Sequence, residues 1–183
     1  YTGMYIKPSS DNAIKIGADG SLVGTSSSDI KVNADRFQFD ANSTELNTSG
    51  TVTIQPVGDD FSAAVTVSNL NLTNVSDLTI GKASSADGTN DVNVTVSGAT
   101  TIAGPIALYG GAIAIDAALT ATSSNINLHA SGAVSQSAAL TANGLGLYGT
   151  GTFALNNTGN NVTTIAGGDN TIKLGSQSYV NSV

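Results

Sequence analysis

The chain holds one histidine, His129, and no cysteine. A zinc centre needs three or four ligands, and a nucleophilic triad needs a base oriented by a carboxylate. His129 has no acidic neighbour, and the serines beside it form no elbow motif. Gly58-Asp59-Asp60 carries the one adjacent pair of carboxylates. Paired acids flank the scissile bond in glycoside hydrolysis, but neighbouring residues on a strand point to opposite faces. Residues 41–81 also supply no Lys, Arg or His to work with them, so a solvated loop is expected there. Gly144-Leu145-Gly146-Leu147-Tyr148-Gly149 satisfies the spacing of a dinucleotide fingerprint, with Asp169 downstream. That site requires a helix after the glycine turn, whereas Thr152-Phe153-Ala154-Leu155 reads as another strand. Gly167-Gly168-Asp169-Asn170 occurs once and lacks the repetition of a calcium nonapeptide. No catalytic residue, metal or cofactor is expected, and the chain does not read as an enzyme.

One constellation stands apart. Tyr109, His129 and Tyr148 recur at steps of about 20 residues, each following an apolar residue: Leu108, Leu128 and Leu147. If the leucines point inward, the three rings form an outward column, either a platform for a sugar or partner chain or a cross-coil support for the sheet. Asparagines read as N-glycosylation acceptors are Asn42, Asn47, Asn71, Asn74, Asn93, Asn157 and Asn161. Asparagine-rich stretches equally serve turns and side-chain amide ladders.

The elements that must carry these residues are short strands. Period-two alternation recurs throughout, as in Ile30-Lys31-Val32, Val52-Thr53-Ile54, Leu78-Thr79-Ile80, Val94-Thr95-Val96 and Ile113-Ala114-Ile115. No segment sustains a helical stripe. An internal repeat sets the architecture. Ile106 and Leu108 recur as Ile126 and Leu128, then as Leu145 and Leu147; Ile113 recurs at Val134 and Phe153; Leu119 recurs at Leu140. The pattern predicts an all-β fold, a parallel β-helix with three strands of three to five residues per coil of about 20 residues. Residues 1–183 read as a single solenoid domain. Residues 1–91 form less regular coils with loop insertions such as Ser84–Thr89, residues 92–168 form regular repeats, and residues 169–183 form a last partial coil.

Composition narrows the function classes. Hydrophobic residues make up 40% of 183 residues, enough for a core, while charged residues make up only 10%. The net charge of −7 offers no cationic surface for phosphates, so no nucleic-acid partner is expected. No apolar run approaches the ~18 residues that span a bilayer, so no membrane insertion is expected. Residues 92–168 carry a single formal charge, Asp116, leaving neutral faces suited to self-association along or across the rod, or to glycans on a host surface. The lack of cysteine suits export of an unfolded chain.

Gly50-Thr51-Val52-Thr53-Ile54-Gln55-Pro56, Leu78-Thr79-Ile80-Gly81 and Val94-Thr95-Val96-Ser97-Gly98, leading into the regular coils, resemble the repeat region of filamentous-haemagglutinin-like exoproteins. These are adhesins exported by two-partner secretion in Gram-negative bacteria. The resemblance covers about two-thirds of the chain. It implies a right-handed β-helical shaft that is secreted or displayed at the bacterial surface, with no catalytic residues. The Asn-Pro-Asn-type secretion module of these proteins is not found here, so the chain reads as interior shaft.

Overall fold

The computed structural model describes residues 3–6, 13–16, 21–23, 29–39, 44–68, 70–83, 92–168 and 173–182. It is an all-β solenoid of parallel sheets, with no helix among the described residues. The first face stacks Gly3–Ile6, Asp29–Asn33, Thr51–Gln55, Asp77–Ile80 and Ile106–Gly110, and continues into Leu119–Ala130, Leu140–Tyr148 and Asn161–Gly167. The second stacks Val65–Val67, Val94–Val96, Ile113–Ile115, Val134–Gln136, Phe153–Leu155 and Gln177–Tyr179, with the pair Ala13–Ile16 and Arg36–Phe39 lying next to its first strand. The third carries Ser21–Val23, Thr44–Asn47 and Leu70–Thr73, then Thr100–Ile102, which pairs with the start of Leu119–Ala130.

Parallel pairing in register sets like residues on like. Ile106 lies against Ile126, Ile126 against Leu145, and Leu145 against Ile165. Ile113 meets Val134, which meets Phe153, and Leu119 meets Leu140. Ile106, Ile126 and Ile113 are fully buried and Leu145, Val134 and Phe153 nearly so, while Ile165, at the end of its column, is exposed. A single lap leaves its inward apolar side chains open above and below, so the dry interior exists only because each lap covers the last. Burying a Leu or Ile side chain contributes roughly 1.5–3 kcal/mol, and the ladders repeat that gain lap after lap.

Over residues 94–165 paired strands stand 19–21 residues apart, as with Val94 and Ile113 or Ile106 and Ile126; earlier partners such as Gly3 with Asp29 and Leu78 with Ile106 stand 26 and 28 residues apart, and the strands there keep their register. Strand length departs from the sequence reading: where three to five residues were expected, Leu119–Ala130 has 12 and Leu140–Tyr148 has 9. One continuous strand runs from the third face into the first, with a bulge between Ala121 and Asn125 that bends it. The Ser84–Thr89 insertion lies outside the described residues.

A groove and an aromatic stack on the first face

Tyr109, His129 and Tyr148 are brought together. In-register pairing sets Tyr109 against His129 and His129 against Tyr148. The ring centroids are 4.1 and 4.5 Å apart, with interplanar angles of 14° and 13°. All three rings are half-buried. Below Tyr109 the column reaches Gly81, at φ +81°, where an added Cβ would stand 2.7 Å from the Tyr109 carbonyl oxygen. Glycine is required there by both the backbone angle and the room. Burial raises the Tyr109 hydroxyl above its ordinary 10.0, and Tyr148 and Asp77 add to the shift. The phenol therefore stays neutral. The rings cover one another, so only the two ends of the stack can offer a face. Tyr109 ends it over Gly81, and Tyr148 ends it where the paired strand of the next lap gives out after Gly167, followed by Gly168, which has no side chain to extend the column.

Beside Tyr148 lies an open groove of about 340 Å³, lined among others by Asn125, Asn127, Asn143, Gly144 and Gly146. Outward positions on successive laps pair Asn125 with Gly144 and Asn127 with Gly146. A Cβ at residue 144 would come 2.6 Å from Asn125 Oδ1, and one at residue 146 would come 2.5 Å from Asn127 Oδ1 and 2.7 Å from Tyr148 Cε2. The two glycines thus make a floor over which the amides and the phenol ring can lie. These are the glycines of the apparent dinucleotide fingerprint. Their strand runs straight into Gly149 and then Phe153–Leu155, with no helix, so their role is spatial. Asp169 lies outside the described residues.

The other candidates fall elsewhere. Asp59 is exposed and Asp60 half-buried, in a loop after Thr51–Gln55. Asp35 pins that loop, its carboxylate accepting from the Val57 and Gly58 N–H groups at 2.9 and 3.2 Å. Among the described residues no group of three or more His, Cys, Asp or Glu is placed to hold a metal ion. On the outer column of the first face, Asp29 accepts from the Thr51 N–H at 2.9 Å, which lowers its carboxyl below 3.8. Burial raises Asp77 above 3.8; the Thr79 hydroxyl, donating at 3.2 Å, opposes this and Asp29 reinforces it.

The asparagines mostly serve the backbone. Asn74 is exposed with φ +64°, the left-handed turn conformation that asparagine tolerates. Asn93 Oδ1 accepts from the Ala112 N–H at 3.0 Å, one lap on. Asn47 is half-buried, Asn71 lies on Leu70–Thr73, Asn161 is exposed, and Asn42 lies outside the described residues. Asn157 needs correcting: it is followed by Thr158 and Gly159, so the acceptor triplet is Asn156-Asn157-Thr158 and its asparagine is Asn156. The Asn157 amide is itself committed, donating to the Ser137 carbonyl at 2.8 Å and accepting from the Gly159 N–H at 2.8 Å.

Sequence reasoning missed one polar cluster altogether. In the third column Thr100, Leu119 and Leu140 are followed by Asn160, fully buried. Thr100 and Leu119 donate their N–H groups to the carbonyls of Ala118 and Ala139 on the next lap. Leu140 instead donates to Asn160 Oδ1 at 2.9 Å, so a side chain replaces the main-chain carbonyl. Asn160 and Gln136 exchange two amide bonds of 2.8 and 2.9 Å, and Asn160 Nδ2 also reaches the Leu155 and Val180 carbonyls. Gln136 itself interrupts the apolar column between Ile115 and the lap above.

Comparison with family models, with curated proteins and with solved structures returns no match. The fold and the geometry of the first face therefore carry the functional argument alone.

Proposed function

We propose that this chain is a stretch of the shaft of a bacterial surface or secreted fibre of the filamentous-haemagglutinin-like kind, giving reach and adhesive or self-associating faces. One observation supports the reading: the apolar ladder passes from lap to lap in register along the first face, from Gly3–Ile6 to Asn161–Gly167. Such a stack converts chain length into rod length at about 4.8 Å per lap and shields its backbone hydrogen bonds between neighbours. Its outer faces over residues 92–168 carry one formal charge, Asp116, so lateral contact with copies or with neutral polymers meets little repulsion or desolvation. At the end of the first face, Asn161–Gly167 is paired on one side only among the described residues, and Ile165 is 40% exposed. A strand edge of that kind accepts a further lap. Electron microscopy of the native protein on or shed from its cells tests the proposal. Thin rods of constant width, labelled along their length by antibody to residues 92–168, are the expected result. Labelled compact particles would overturn it.

A further inference from the structure

We propose that the groove beside Tyr148 is a binding site for an uncharged sugar, recognised as a pyranose stacked on the end of the aromatic column. His129 covers one face of Tyr148 at 4.5 Å, no ring is stacked on the other among the described residues, and Tyr148 lines the groove. A pyranose presents a flat patch of C–H bonds to such a face and its hydroxyls around the rim. The rim here is made for hydroxyls. Asn125, Asn127 and Asn143 line the groove, and among the described residues their side-chain amides make no hydrogen bond within the protein. Each amide offers two donors and one acceptor oxygen, a match for hydroxyl groups that both give and take.

The floor points the same way. Glycines at two alternate outward positions of one strand weaken a sheet and bury nothing. Gly144 and Gly146 are accounted for by the room they leave: a Cβ at either would strike an Asn Oδ1, and at residue 146 the Tyr148 ring as well. At about 340 Å³ the groove has the size of a small-ligand site. The class of sugar follows from charge. No Lys or Arg occurs in residues 92–168, and the net charge is −7, so uronates and sulfated glycans find no counter-charge. The inference is independent of the fibre reading, since it concerns one face of one lap.

Titration calorimetry of the whole chain against cellohexaose, mannohexaose, maltohexaose and an alginate hexamer tests it, with circular dichroism to verify folding. At least one neutral hexasaccharide should bind and alginate should not. Asn127→Ala with Asn143→Ala removes exposed or half-buried amides that hold nothing else and should weaken binding at least about tenfold, a loss of about 1.4 kcal/mol. Tyr148→Ala should abolish it; should that variant unfold, the asparagine pair still decides. Ser135→Ala, on another face, should bind like the parent. The proposal is overturned if no neutral sugar binds, if alginate binds as well, or if the asparagine variant binds unchanged. It is equally overturned if sedimentation shows self-association that the same substitutions abolish without sugar, because the groove would then be a contact between copies.

Discussion

Replacing Asn160 by leucine separates two readings of the third column. The ladder alone says that leucine at residue 160 continues Leu119 and Leu140 and stabilises the rod. The hydrogen bonds say the opposite. Without the amide, the Leu140 N–H is left buried and unsatisfied, which costs about 1–3 kcal/mol. The two bonds exchanged with Gln136 vanish too, at about 1 kcal/mol each, although Gln136 keeps the Ala138 carbonyl and the Asn157 N–H as partners. Asn160→Ala should therefore lose at least about 3–5 kcal/mol, since the Nδ2 bonds to the Leu155 and Val180 carbonyls go as well. Leucine recovers about 1.5–3 kcal/mol through burial, so Asn160→Leu should remain destabilised by about 2 kcal/mol. Urea unfolding followed by circular dichroism measures the difference. Hydrogen exchange supplies the local readout, since the Leu140 amide should lose protection in both variants while the Ile126 amide, on another face, keeps most of its own. A leucine variant as stable as the parent, with Leu140 still protected, would refute the idea that a side chain takes the place of a main-chain carbonyl.

Ile126→Ala empties a fully buried site between Ile106 and Leu145 and should cost about 2–5 kcal/mol in urea unfolding, whereas Thr66→Ala on an exposed position should stay within about 0.5 kcal/mol. Gly149 has φ +98°, and a Cβ there would collide with the Ala130 carbonyl, so Gly149→Ala should destabilise by more than about 1–3 kcal/mol on the same assay. Asp77→Asn should raise the melting temperature at neutral pH. The folded state holds the Asp77 proton more tightly than the unfolded chain, so ionisation above 3.8 works against folding, and the advantage of the variant should fade as pH falls below that value. Asp29 has the opposite sign: its lowered carboxyl stabilises the fold above 3.8, and Asp29→Asn should cost stability at neutral pH that is no longer lost in acid.

The ladders were legible because parallel in-register stacking writes geometry directly into sequence: partners such as Ile106, Ile126 and Leu145 are the same kind of residue one lap apart. The same logic placed Tyr109, His129 and Tyr148 in one column. It weakened before residue 92, where partners 22–29 residues apart hide the period although the pairing persists, as between Ile30 and Val52. It failed at Gln136 and Asn160, because a polar residue in an apolar column reads as a lapse in the repeat until its partners are seen in space. The groove was invisible for a related reason. Asn125 over Gly144 and Asn127 over Gly146 carry meaning only as cross-lap pairs, and in a chain rich in both residues neither pair stands out along the sequence.

The pairing of Gly110 with Ala130 makes the rod editable. Excising residues 111–130 would splice Gly110 to Ser131 at the same corner, set Val134 over Val94, Leu140 over Thr100 and Tyr148 directly over Tyr109, and shorten the molecule by one rung of about 4.8 Å. Duplicating the same stretch would lengthen it by as much. A gene encoding such a protein can thus change the span of its product by slippage, in whole steps, without having to invent a new interior.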